Sequence, residues 1–466
     1  MGIGFDNNMD SFFNPISVAI IGITRKSGPG SYNLMENMLN YGYQHKIFPV
    51  NTNAKEILGQ KSYSNIKDIK RKVDLAILIL PRELVPKSIS ECAESGVKAA
   101  IVVGQGFADV GTKGKELQQE IVKIVKDKGI RILGPNTLGV VNNFNHFTTS
   151  FMPLIQEKAP TGLICQSGIF FVGAENFTGH VGKGIDIGNA CDIGFSESLK
   201  YLGEDPDIKI IAMHMEGLKQ GRQFLSLASR IAKEKPIVIF KTGQSEKGAR
   251  NAASHSGTMA GHYQIYRAAL KQSGVHFLDE DGQMRDAVKT LLYLPPMKGN
   301  RVAVITPTGA GGIMVSDALE RYGLRLASLS ETTIKQTAEL SPEWMLLGNP
   351  LDIWPAAMKN RLGAVYTIAL KAVLADHNVD GVLCIGIAPV NSESAYLDVS
   401  EIINEAVSEE PDKPVVAWIY GSNQKEINEK LERKKRVGAY QTIERAVWSL
   451  SLLWERRRFL ERTKIH

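Results

Sequence analysis

Residues 237–261 read IVIFKTGQSEKGARNAASHSGTMAG. Ile237 to Phe240 form a short apolar run, the signature of a buried strand. From Lys241 to Gly261 the chain holds almost nothing but Gly, Ala, Ser, Thr and charged residues. Such a segment buries little apolar surface, so a surface loop is expected, and loops carry function. His255 stands in it between Ser254 and Ser256, with Gly257 following, and is sterically bare. Two readings of the loop alone stay open: a histidine that hydrogen-bonds its own loop, or a nucleophile reached by a bulky reagent.

Upstream, Gly162-Leu163-Ile164-Cys165 reads as a strand entering the turn Gln166-Ser167-Gly168. Free amides and a hydroxyl at a helix start make that turn a natural anion seat. The apolar run 208–215 ends at Glu216-Gly217. Phe224, Leu227, Ala228 and Ile231 then recur at helical spacing, so a helix is expected to cross between strands, which supports a parallel arrangement of the three. That arrangement brings Gln166-Ser167-Gly168, Glu216 and His255 to one edge. Amides there could hold phosphate while His255 Nε2 attacks it and Glu216 takes the other ring N–H. Taken alone, Glu216 reads as a surface carboxylate at a strand end. Cys165 reads as a small buried hydrophobe in preference to a reactive thiol.

Residues 1–145 alternate in the same way. Strands are expected at Val18–Gly22, Lys46–Asn51, Leu75–Leu80, Ala100–Val103 and Ile130–Leu133, with helices near 84–95 and 113–128. The alternation implies a doubly wound parallel sheet. Ligands bind such sheets at the carboxyl ends of the strands. Those ends carry Gly22-Ile23-Thr24-Arg25-Lys26, Val50-Asn51, Leu80-Pro81, Gly104-Gln105-Gly106 and Gly134-Pro135-Asn136. The glycines do not follow GxGxxG, and Asn51 stands where a ribose-binding carboxylate is needed, so a nicotinamide-dependent dehydrogenase is disfavoured.

ASHSGTMAG closely resembles the phosphohistidine loop of the NDP-forming acyl-CoA synthetases, the superfamily of succinyl-CoA synthetase and ADP-forming acetyl-CoA synthetase. The series G-x-T, PVN, LP and GPNxLG resembles their CoA-binding domain, and MEGLKQGR, GNACD and YLGEDPD are similar to their phosphoryl-transfer domain. GNPLDI at 348–353 resembles their third domain. The resemblance spans residues 12–455. It implies a Rossmann-like CoA-binding domain (1–145), a flavodoxin-like phosphohistidine domain (146–295) and a second flavodoxin-like domain (296–466). It implies that Gly22, Thr24, Arg25, Lys26, Asn51, Pro81, Gln105 and Asn136 line the CoA path. Gln166, Ser167 and Gly168 would seat phosphate, and His255 and Glu216 would be catalytic.

Three departures stand out. Asn51-Thr52-Asn53 replaces the family's Asn-Pro-Lys, so either Lys46 or Lys55 substitutes for the lost cation or CoA is bound more weakly. Cys165 replaces a serine of Ser-Gln-Ser-Gly, and Phe170 and Phe171 replace smaller residues.

Residues 296–466 open with a Pro/Gly linker and a strand at 301–306 before Gly309, Gly311 and Gly312. Later strands are expected at 381–387 and 414–420, with a last helix carrying Ile443, Ala446, Val447 and Leu450. The glycines are read as structural in preference to phosphate-binding. No P-loop occurs, and no stretch remains for an ATP-grasp domain. The resemblance therefore implies an α subunit whose ATP-grasp β subunit supplies ADP/ATP and Mg²⁺, in an α2β2 assembly. The alternative is a non-catalytic CoA-binding or scaffold protein that keeps the fold.

Composition sets the bounds. With 466 residues, 43% of them hydrophobic, the chain suffices for about three domains. A net charge of +6 with scattered basic residues suits phosphorylated anions and points to no nucleic acid. Four dispersed cysteines fit a reducing cytoplasm, and the dispersed histidines suggest no metal site. No apolar run approaches the ~20 residues needed to span a membrane, and no signal peptide is visible in residues 1–13.

Overall fold

The computed structural model describes residues 9–250 and 263–464. These divide into two compact units, Met1–Arg285 and Asp286–His466.

The first unit holds two large sheets. In the first sheet, β1 (Ser17–Ile21), β2 (Lys46–Val50), β5 (Leu75–Leu78), β6 (Ala99–Val102) and β7 (Arg131–Leu133) run parallel in the order β2-β1-β5-β6-β7. Every residue of β1, β5 and β6 is buried, as expected where helices cover both faces of a parallel sheet. A short hairpin, β3 (Glu56–Ile57) with β4 (Gln60–Lys61), follows β2 in place of a further edge strand.

The second sheet has β8 (Gly139–Asn142), β9 (Phe147–Thr148), β10 (Thr161–Cys165), β11 (Lys183–Asp186), β12 (Ile210–Met215), β13 (Ile237–Lys241) and β14 (His276–Leu278), in the order β14-β13-β12-β10-β11-β8-β9. The expected parallel set β10, β12 and β13 is present, and β8 pairs antiparallel with β11. The amphipathic helix Gly221–Ala232 makes the crossover, burying Phe224, Ala228 and Ile231.

The two sheets are joined through the loop after β11. Asn189 N–H donates to Pro135 C=O at 2.9 Å, Cys191 N–H to Gly134 C=O at 3.1 Å and Ile193 N–H to Ile132 C=O at 3.1 Å. Asp192 clamps the start of β7, accepting from Arg131 Nε at 2.9 Å and from Ile132 N–H at 2.8 Å.

The second unit is built on one sheet. It contains β15 (Arg301–Thr306), β16 (Arg325–Leu326), β17 (Leu351–Asp352), β18 (Gly381–Ile387), β19 (Val415–Tyr420) and β20 (Val437–Tyr440) in the order β16-β15-β18-β19-β20, with β17 beside the end of β15. Ile443, Ala446, Val447 and Leu450 of the last helix are buried, as expected. Cβ atoms on Gly311 and Gly312 would meet Ile385 and Pro350 at 2.8 and 2.9 Å, so close packing accounts for both. In each of the three sheets the main parallel strands follow the order 2-1-3-4-5, which leaves a switch point beside the first strand where ligands collect.

Candidate active site

At the switch point of the first sheet, the carboxyl ends of β1, β2 and β5 surround a cleft of about 260 Å³ lined by Gly22, Asn51, Asn53, Leu80 and Lys87 among others. Asn51 is spent on the protein itself: its Nδ2 donates to Ile23 C=O and its Oδ1 accepts from Asn53 N–H, both at 2.8 Å. The Thr24–Lys26 turn is held from below by Asn33, whose Nδ2 donates to Thr24 C=O at 3.2 Å and to Lys26 C=O at 2.8 Å. Arg25 and Lys26 project as exposed cations, and Lys87, which lines the cleft, adds a third that the sequence reading did not single out. A polar cleft at a switch point, with the Lys87 amine in its lining, fits a phosphate-bearing ligand such as CoA.

Lys46 cannot replace the missing lysine. It begins β2, four residues before Val50, so its Cα lies ~13 Å from the ligand end at ~3.3 Å per residue. Lys55 is exposed and follows the carboxyl end of β2 by five residues. Pro81, Thr24, Arg25 and Lys26 fall outside the residues that line either cleft described here.

A second, larger cleft of about 450 Å³ opens between the two sheets of this unit. Gln105 and Asn136 line it from the first sheet, and Gln166, Ser167, Gly168 and Asp186 from the second. Gln166 is buried and lies beside Glu216, with its Oε1 accepting from Glu216 N–H at 3.0 Å and from Gly217 N–H at 3.3 Å. From the opposite side, the buried Lys241 donates to Glu216 C=O at 3.0 Å and to Thr242 C=O at 2.9 Å, with Nζ 4.9 Å from the Tyr266 ring centre. Burial lowers the Lys241 pKa, while the nearby Glu216 carboxylate acts to raise it. The parallel strands thus do bring Gln166 and Glu216 together. His255, expected at the same edge, lies outside the described residues.

Cys165 is buried, and burial pushes its thiol well above the ordinary range, in keeping with a small packing residue. Phe170 and Phe171 are also buried, and neither lines the large cleft. Phe170 stacks on His214, with ring centres 3.8 Å apart and planes 10° from parallel. Burial drives His214 down to about 3, so the imidazole is neutral. The sequence reading missed Asp186 and Asp109, both of which line the cleft. Asp186 ends β11 as Glu216 follows β12, and that parallel between strand ends was the available signal.

This fold and site define a class: an α/β unit of two sheets with ligand clefts at its strand ends, followed in the chain by a second α/β unit. Residues 16–143 match the family model described as a CoA binding domain, and residues 158–291 match that of a succinyl-CoA ligase like flavodoxin domain. Over 441 residues the chain is 34% identical to the acetate–CoA ligase [ADP-forming] II subunit alpha of Pyrococcus furiosus, covering 94% of this chain and 95% of that one. It is 38% identical over 384 residues to the acetate–CoA ligase [ADP-forming] II of Archaeoglobus fulgidus, covering 81% of this chain but 57% of that longer relative. Among solved structures it is similar to the dinucleotide-forming acetyl-coenzyme A synthetase 1 of Ca. Korarchaeum cryptofilum in complex with phosphate and ADP, at 30% identity, a TM-score of 0.87 and 98% coverage of both chains. The chain belongs to the ADP-forming acetate–CoA ligase family.

Proposed function

We propose that this chain is the α subunit of an ADP-forming acyl-CoA synthetase, which interconverts acyl-CoA, phosphate and ADP with carboxylic acid, CoA and ATP. The observation that carries the reading is the cleft in which Gln105 and Asn136 of the first sheet face Ser167 and Gly168 of the second. A thioester carried along the first sheet would there meet a phosphate seated by the second.

Phosphate attacks the thioester to give an acyl phosphate, and His255 then takes the phosphoryl group. Glu216 accepts the other ring N–H of His255, fixing the tautomer and stabilising the cationic phosphoimidazole. Gln166 and Lys241 serve by holding the backbone of Glu216. The small residues around His255 let the loop deliver the group to ADP on an ATP-grasp β subunit, which also holds Mg²⁺, in an α2β2 assembly in the cytoplasm. Arg25, Lys26 and Lys87 take the CoA phosphates. The three expected domains (1–145, 146–295 and 296–466) then divide the work into CoA binding, phosphoryl transfer and assembly. Passing the group through histidine keeps the acyl phosphate away from water.

The test is to incubate the full chain with acetyl-CoA and labelled phosphate, then measure intact mass. One acid-labile phosphate is expected, absent from His255→Asn. CoA binding without phosphorylation would instead identify a CoA-binding scaffold.

A further inference from the structure

Asp186 is the last residue of β11, and its Cα pairs in register with Cys165, the residue that leads into Gln166-Ser167-Gly168. It is 2% exposed, yet it lines the same cleft as Ser167, Gly168, Gln105 and Asn136. One carboxylate oxygen accepts from Leu138 N–H at 2.8 Å and the other from Gly188 N–H at 3.2 Å. The Thr137 hydroxyl donates to its backbone carbonyl. No Lys or Arg among the described residues pairs with it.

The titratable groups nearest to it are Glu216 beyond β12, the buried Cys165 thiol and, on the 106–110 turn lining the same cleft, Asp109. Burial, with a smaller push from Glu216, raises its pKa to about 6, where a carboxyl group exchanges protons near neutrality. Its neighbours are unsuited to that work. Asp109 accepts from Gly106 N–H at 3.1 Å, Phe107 N–H at 2.9 Å and Asn189 Nδ2 at 2.8 Å, and it stays ionised with a lowered pKa. Gln166 does not titrate, and its Oε1 is already taken.

We propose that Asp186 is the general acid–base of the thioester half-reaction, moving a proton from the attacking phosphate to the departing CoA sulfur. The inference rests on the proposed function. As a phosphate oxygen bonds to the acyl carbon, the phosphate O–H proton passes to the Asp186 carboxylate. The C–S bond breaks with its electron pair on sulfur, and the Asp186 carboxyl then protonates the thiolate. Thioester plus hydrogen phosphate dianion becomes acyl phosphate dianion plus thiol, with no net proton gained or lost. In the reverse direction the carboxylate takes the thiol proton.

The experiment labels the full chain by two routes, acetyl-CoA with phosphate and acetyl phosphate alone, because only the first requires the shuttle. Asp186→Asn is expected to slow the acetyl-CoA route at least ~100-fold while the acetyl phosphate route proceeds as in wild type. Asp186→Glu should restore part of the lost rate. The pH profile of the acetyl-CoA route should contain an ionisation near 6 in the wild type that Asp186→Asn lacks. An unchanged acetyl-CoA route in Asp186→Asn overturns the shuttle. So does an equal loss of both routes, which would mark Asp186 as a structural clamp on Leu138 and Gly188. Should Asp186→Asn fail to fold, the Asp186→Glu rates and the wild-type profile decide. A wild-type profile with no ionisation near 6 confined to the acetyl-CoA route then rejects the shuttle. A wild-type chain labelled by neither route rejects the proposed function itself, and the shuttle with it.

Discussion

Gln166 Oε1 accepts two backbone amides at once, those of Glu216 at 3.0 Å and Gly217 at 3.3 Å, and so ties the turn after β10 to the end of β12. Sequence reasoning assigned Gln166 to an incoming phosphate. The geometry gives its carbonyl a different duty, fixing where Glu216 leaves the sheet.

Replacing Gln166 with Ala strands two buried N–H groups, and leaving a buried donor unsatisfied costs about 1–3 kcal/mol. Urea denaturation of Gln166→Ala should show a loss of about 3 kcal/mol. Gln166→Glu keeps an acceptor and should lose less. An Ala variant with the wild-type midpoint would mean that water replaces the side chain and that Glu216 is held by other contacts.

Much of this was legible in the sequence. All the strands of the first sheet were readable, because parallel strands buried on both faces are continuous apolar runs such as Val18–Ile21 and Leu75–Leu78. The parallel relation of β12 and β13 was readable from the amphipathic stripe of the one helix that crosses between them, whereas that of β10 entered as a premise. The union of the first two sheets was not legible. It depends on backbone hydrogen bonds from Asn189, Cys191 and Ile193, which leave no pattern in side-chain chemistry. Asp186 was missed for a related reason: one carboxylate in a run of small and apolar residues has no periodicity. Only the fold reveals that its partners are amides and not cations.

The stack of Phe170 on His214 makes an acid-sensitive element. His214 falls from an ordinary 6.5 to about 3 on burial, so the unfolded chain binds the extra proton. Its contribution to stability is therefore complete above pH 6.5 and is lost as pH falls from there towards 3. By pH 4 the loss from this group should reach about 3 kcal/mol. His214→Gln, which cannot titrate, should show a correspondingly shallower stability profile between pH 4 and pH 6.5. Parallel profiles for the two proteins would contradict a neutral buried imidazole.

The thiols should be quiet. Burial raises Cys92, Cys191 and Cys384 to about 12 and pushes Cys165 well above the ordinary thiol range, and the thiolate is the reactive form. The native protein at pH 8 should react with a disulfide reagent only slowly, and all four cysteines should react once it is unfolded in guanidinium. Rapid titration of one thiol in the native state would identify a reactive cysteine, with Cys191, the least buried of the four, the first to examine by mass mapping.

The clearest test of the join between the two sheets is Gly188. It adopts φ +51, and a Cβ there would fall 2.3 Å from Asn136 O and 2.4 Å from Pro135 O. Those are backbone atoms of the turn that carries a cleft residue, so they cannot swing aside as a flexible side chain would. Gly188→Ala must therefore push the 187–193 loop off the Gly134–Asn136 turn and break hydrogen bonds such as Asn189 N–H to Pro135 C=O. A loss of more than about 3 kcal/mol is expected, from a steric clash added to an unfavourable backbone conformation. Gly96→Ala is the control: it also has a positive φ, +84, but nothing lies within 4 Å of its Cβ position. It should lose only the ~1–2 kcal/mol of the backbone term. Equal melting temperatures for the two variants would show that the loop and the turn are not in contact in solution, and that the cleft between the sheets is not a fixed feature of the first unit.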